Sequence, residues 1–227
     1  MIKNFFKLIT NEFSLMIKGS IFTFVLFCLL MIASSIFSLA LRHVTFDIEI
    51  PLAFLWIMIF FISLIKVEKV YASDFSEAKL QQYILSPFAL EIIIFVKNIM
   101  IYLNLLFLFF IFSPIILVIL NIKLSYLISI NFLLALSLLS IVFISSMTAS
   151  ITISRNNKLS ITSVLTLPLF VPILIFSMAI TNVIDFDIHK LYLFFLAYFL
   201  INLAFSPLLT SFALKKLSVQ CLRLLLI

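Results

Sequence analysis

Six stretches of this chain, 20–41, 50–65, 92–120, 126–153, 160–181 and 191–213, are almost wholly apolar. A helix needs about 20 such residues to cross the hydrocarbon of a bilayer, so the sequence predicts an all-α integral membrane protein with six transmembrane helices. The polar clusters between them, 42–49, 66–91, 121–125, 154–158 and 182–190, become the connecting loops. Only 11% of the residues are charged, against roughly 25% in an average soluble domain. That is too few to build a water-facing shell, and the bilayer is the solvent in which this chain folds.

Glycine sets a second bound. The chain has one, Gly19, which rules out the loops that need two: GxxxxGK[ST], GxGxxG and GxSxG. The chain cannot bind a nucleotide by those loops, and it reads as no enzyme. Cys28, Cys221, His43 and His189 match no zinc or haem-attachment spacing, so neither a disulfide framework nor a metal site is expected. The spans hold almost no ionisable residues away from their ends, which disfavours a secondary transporter or channel.

Six spans put both termini on one side. All but Arg42, Lys123 and Lys190 of the chain's 15 Lys and Arg fall on that side, which the positive-inside rule makes cytoplasmic. The expected topology is N-in and C-in, and the net charge of +6 reflects this asymmetry rather than a nucleic-acid surface. Ahead of the first span, Lys7, Asn11, Ser14 and Lys18 form one polar stripe. Phe5, Phe6, Ile9, Phe13, Met16 and Ile17 fill the rest, as in an amphipathic helix lying among headgroups. Gly19-Ser20 then turns the chain into the membrane. Ser38-Leu39-Ala40 looks like a cleavage site, but the apolar run from Ile21 is too long for a secretory leader. Lys97 is expected to snorkel to the interface and Trp56 to anchor there.

The loop 66–91 carries more charge than any other stretch and is far longer than a turn requires. Val67, Val70, Tyr71, Phe75 and Ala78 keep a helical period. Asp74-x-x-Glu77 resembles a capping box, and Leu80, Tyr83 and Ile84 extend an apolar face until Ser86-Pro87 stops it. The pattern predicts one or two short amphipathic helices. Both a membrane-surface linker and a docking knob for a soluble partner fit that pattern.

From Glu68 through Asp74, Glu77, Leu80, Gln81 and Gln82 to Pro87, the loop resembles the E-x5-D-x2-[DE]-G-[ST]-L-E-Q-L-x3-P segment of the CcmB family, the haem exporter protein B of cytochrome c maturation. Ala78 and Lys79 stand where the family has Gly-Ser, Gln81 where it usually has Glu, and Tyr83 where it has Leu. A second segment, Leu165-Thr-Leu-Pro168-Leu-Phe-Val-Pro172-Ile-Leu-Ile-Phe176, is similar to the family's L-P-L-x-x-P-L-L-I-F span. The two motifs in the right order, taken with the six spans and the family's overall length, extend the resemblance over nearly the whole chain.

The resemblance implies an ABC-2-like permease half. Residues 1–18 would be an amphipathic elbow helix, 19–216 a six-helix transmembrane domain with its coupling helix in the cytoplasmic loop 66–91, and 217–227 a short cytoplasmic tail. It implies a CcmA-like P-loop ATPase subunit, a CcmC-like haem-handling membrane subunit and a CcmE-like periplasmic haem chaperone as partners. The permease would act as a homodimer or a heteromeric equivalent. The setting would be the bacterial inner membrane, or the mitochondrial inner membrane for an organelle-encoded chain. No cofactor is held permanently; haem is the candidate cargo, or ATP drives release of the haem-loaded chaperone. The alternatives are a non-transporting assembly scaffold and a permease for another hydrophobic cargo. In the ATPase-docking reading, Phe75, Leu80 and Tyr83 are buried anchors; Glu68, Asp74 and Glu77 orient by charge, with Gln82 and Pro87 completing the segment.

Pro168 and Pro172, four apart in span five, are hinge or gating candidates because each removes a backbone hydrogen bond. His43 and His189 fall in external loops and are the weak candidates for haem ligation. The echo of Phe112-Ser113-Pro114-Ile115 in Phe205-Ser206-Pro207-Leu208 is read as chance in so apolar a chain.

Overall fold

A computed structural model describes residues 2–41, 48–74, 82–83, 85–154, 160–182 and 188–225. Within them are α1 (Ile2–Lys18), α2 (Ser20–Ala40), α3 (Glu49–Asp74), α4 (Leu90–Ile119), a 3-10 turn (Leu124–Tyr126), α5 (Leu127–Ser154), α6 (Ser160–Asn182) and α7 (Ile188–Leu225), and no strand is present among the described residues. Five helices, α2, α3, α4, α5 and α7, are long and apolar enough to cross a membrane. In α6 the described apolar stretch is Val164–Ala179, shorter than those five. The fold is that of an all-helical, multi-pass membrane protein.

Helices are the only open-ended segments that satisfy every backbone donor and acceptor internally in hydrocarbon. Several of the hydroxyls embedded in them follow the same rule. Ser35, Ser63, Thr148 and Thr210 each donate to the carbonyl four residues earlier, at 2.9, 2.8, 3.3 and 2.7 Å.

Helix α5 is the centre of the bundle and packs against α3, α4, α6 and α7. Half of its buried residues are small, including Ser137, Ser140, Ser145, Ser146, Ala149 and Ser150. Small side chains let neighbouring backbones approach closely, the usual device where lipid removes the hydrophobic drive for helices to associate. Aromatic pairs fasten the outer helices. Phe27 meets Phe109 edge to face at 4.5 Å between α2 and α4, Phe37 stacks on Phe54 at 4.1 Å between α2 and α3, and Phe60 stacks on Phe170 at 4.2 Å between α3 and α6.

Three expectations change. The second span was expected to end at residue 65, yet α3 continues unbroken to Asp74. Buried Leu52, Trp56, Ile59, Phe60, Val67 and Tyr71 share one helical face, and that periodicity outlasts the charges at Lys66, Glu68 and Lys69. Trp56 is no interfacial anchor, being 0% exposed in the core. Lys97 does not snorkel, being 1% exposed.

The turn after α4 shows what scarcity of glycine does. After α4, Asn121 adopts φ 57°, Ile122 N–H donates to the Leu117 carbonyl at 2.9 Å and Asn121 N–H to Val118 at 3.1 Å. This is a Schellman cap with Asn in the left-handed position that glycine usually takes, and buried Leu117 and Ile122 supply its hydrophobic contact. Asn121→Val should cost about 1–2 kcal/mol, the penalty of left-handed backbone in an ordinary residue, whereas Asn121→Gly should lose nothing. Thermal unfolding of the solubilised chain, followed by fluorescence of its single tryptophan, Trp56, measures both.

Candidate functional site

At one end of the bundle the chain gathers the start of α2, the last turns of α3 and the first turns of α4, with α1 laid across them. Lys97 on α4 and Glu12 on α1 form an ion pair at 3.0 Å, with side chains only 2% and 5% exposed. Tyr83, on the segment returning to α4, donates its hydroxyl to Glu12 Oε1 at 3.3 Å. Lys97 Nζ lies 3.4 Å from that same phenol oxygen and 5.4 Å from the ring centroid. A buried ammonium is costly unless a carboxylate and further hydrogen bonds compensate it. Lys97 therefore holds in place both α1 and the far end of the loop.

One residue on, a polar relay begins. Tyr71 on α3 donates to Asn98 Oδ1 at 2.7 Å, and Asn98 Nδ2 donates to Ser146 on α5 at 2.9 Å. The Ser146 hydroxyl lies 3.3 Å from that of Ser206 on α7, and both hydroxyls donate to the Phe143 carbonyl. Four helices are thus joined by a continuous buried chain of hydrogen bonds, adjacent in sequence to the ion pair. Lys66 reaches from α3 to the Gly19 carbonyl at 2.9 Å, and Thr23 on α2 donates to Asn104 on α4 at 2.9 Å. At the other flank, Glu91 in the first turn of α4 accepts from Lys215 at 2.8 Å and Ser211 at 2.9 Å, both on α7.

The loop residues read as docking candidates separate here. Glu68 lies buried in the extended α3 and faces the bundle. Asp74 is the last residue of α3, and its side chain lies outside the described residues. So do Phe75, Glu77 and Leu80, the centre of the docking segment, and His43. Gln82 and Pro87 are exposed, and Tyr83 is half-buried in the cluster just described. His189 falls in the first turn of α7, with its side chain outside the description. Pro168 is exposed and Pro172 half-buried in α6, which runs helical through both. The polar stripe expected on α1 is described at Asn11 and Ser14, both exposed; the side chains of Phe5, Lys7 and Lys18 are not described.

Glu12, Asn98 and Ser146 were not among the expected functional residues. The available signal was Glu12 itself, a carboxylate off the polar stripe of α1. Chemically the cluster holds groups in place rather than reacting. Among the described residues no set of three His, Cys, Asp or Glu could hold a metal ion.

A family model described as CcmB protein matches residues 3–217 of the chain. No curated protein matches it.

Lys97→Met leaves Glu12 buried without its cation and should cost about 3–5 kcal/mol. Adding Glu12→Leu should restore most of that loss, because the pair is then replaced by apolar contact. A double-mutant cycle on thermal unfolding reads the difference.

Proposed function

The chain belongs to the CcmB family, and we propose that it is the permease subunit whose helices respond to ATP hydrolysis by a separate P-loop subunit. The family is the membrane component of the haem-exporter ABC system serving cytochrome c biogenesis. The finer reading places the chain in the inner membrane, with six spans, α1 as an elbow helix, and the α1 end of the bundle in the cytoplasm. Its partners would be a CcmA-like ATPase, a CcmC-like membrane subunit and a CcmE-like chaperone, with haem as cargo and no cofactor of its own.

One observation carries the coupling part of this reading. The loop between α3 and α4 is tethered at both ends to rigid structure. Upstream it continues directly from α3, whose Tyr71 is 0% exposed. Downstream, Tyr83 is tied to Glu12 and Lys97. A short helix at 74–83, seated in a cleft of a soluble ATPase, would transmit displacement to α3 at one end and to α1 and α4 at the other. From there the Tyr71–Asn98–Ser146–Ser206 relay leads to α5 and α7. Interfaces with two packed arrangements convert such small displacements into helix movement. Phe75 and Leu80 would be the apolar anchors, since a few buried side chains dominate most interfaces.

Orientation is testable first. With Cys28 and Cys221 replaced by serine, cysteine introduced at Ser76 should be labelled only from the cytoplasm and at Phe186 only from outside; the reverse labelling would overturn the assignment.

Coupling is testable by paired substitution. Phe75→Asp with Leu80→Asp should leave the chain inserted in the membrane while preventing co-purification of an ATPase subunit and abolishing cytochrome c maturation. Retained binding with normal maturation would make the loop a linker only.

A further inference from the structure

Beside the ion pair, between α1, α2, α3 and α4, lies a cavity of about 290 Å³. Its polar lining is cationic: Lys66, Lys69 and Lys97 contribute three ammonium groups, and Glu12 the one carboxylate. The remaining wall is mainly apolar, with Leu15 and Met16 from α1, Phe22 from α2 and Met100 and Ile101 from α4. Lys66 and Lys97 are buried, but Lys69 is exposed, its ammonium 3.4 Å from the centroid of the Phe22 ring. A cation held only by a ring face can exchange that contact for a stronger partner of full negative charge.

We propose that this cavity binds the phosphate of an anionic phospholipid. The charge of the lining selects an anion, and its apolar wall selects an amphiphile over a free ion. The volume lies at the bottom of the roughly 300–1,000 Å³ range of sites that enclose a drug-sized ligand. It suits a headgroup phosphate and glycerol, with the acyl chains left outside. Those chains have a surface to lie on: Ile17 and Ile21, which flank the α1–α2 joint at Gly19, are both exposed. The position fits as well, because basic pockets between spanning helices at the headgroup level are established sites for anionic lipid. The proposal requires only that this end of the bundle meet a headgroup layer, and it stands apart from the coupling reading. A lipid seated here would brace α1 against α3 at the place where the Glu12–Lys97 pair braces it against α4.

The test uses the full solubilised chain, equilibrated with equal amounts of phosphatidylglycerol and phosphatidylcholine, with retained lipid counted by native mass spectrometry. The expected result is preferential retention of phosphatidylglycerol by the unaltered chain, lowered roughly fivefold by Lys69→Gln, the contribution of one basic residue at an anionic surface. Lys66→Gln, which removes the second cation of the lining, should lower it similarly. Lys216→Gln removes the same charge from an exposed site outside the cavity lining and should leave the preference intact. A large molar excess of inorganic phosphate should not displace the lipid. Equal retention of the two lipids by the unaltered chain, equal effects of Lys69→Gln and Lys216→Gln, or displacement by inorganic phosphate would each overturn the proposal, the last by showing a site for soluble anions.

Discussion

An ammonium group buried in a membrane helix has to be compensated, and here the compensation comes from outside the spanning bundle. Lys97 sits one residue before the Asn98 relay that joins α3, α4, α5 and α7. Its carboxylate partner is on α1, 85 residues earlier in the chain. That single pairing sets where the N-terminal helix lies. With Glu12 turned inward, Phe6, Phe13 and Ile17 on the same helix remain exposed, in keeping with a helix that gives its apolar surface to lipid and a charge to the protein. Tyr83 completes the arrangement by touching both charges, so the returning loop is positioned by the same contact.

The rest of the bundle solves a related problem with neutral groups. Helix α5 touches four other helices and can do so because half of its buried residues are serine, threonine or alanine. Each such hydroxyl would be a liability in hydrocarbon if unsatisfied. Ser137, Ser146, Thr148, Ser150 and Thr152 donate to carbonyls of their own helix within one turn, whereas the buried Ser140 and Ser145 hydroxyls have no partner among the described residues. Ser146 is the exception in kind, since it also accepts from Asn98 and adjoins Ser206. On α5 the small residues thus serve close packing, and Ser146, at the level next to the ion pair, also connects helices.

This division explains which parts were legible in the sequence. Hydropathy is additive along the chain, so five long apolar helices and the separate N-terminal helix could be read from residue order alone, and two motifs sufficed to identify the family. What could not be read was partnership across the fold. The charges of Lys66, Glu68 and Lys69 looked like the start of a loop, because local composition does not reveal that α3 keeps its buried face through Val67 and Tyr71. Lys97 looked like an interfacial lysine for the same reason; nothing near it in sequence announces Glu12. Trp56 fits the composition rule for an interface, but its position on the buried face of α3 decides otherwise. The hydroxyl-rich face of α5 was visible as residues, and its role as the centre of packing was not, since that depends on which helices surround it.

Two backbone positions show the same limit in a chain with one glycine. The left-handed turn at residue 121 is where glycine would be expected, yet asparagine fills it, one of the few other residues that tolerate φ near 57°. Gly19 itself has φ −82° and ψ −2°, a conformation open to any residue, so conformational freedom is not its reason. A side chain there would begin 3.3 Å from the Lys66 ammonium, closer than an ordinary van der Waals contact, and would crowd the nitrogen that bonds the Gly19 carbonyl. A side chain in place of the glycine would therefore require the Lys66 ammonium at the joint between α1 and α2 to shift by a few tenths of an ångström. The significance of the glycine lies in the lysine 47 residues away, and only the folded arrangement of α3 against that joint brings the two together.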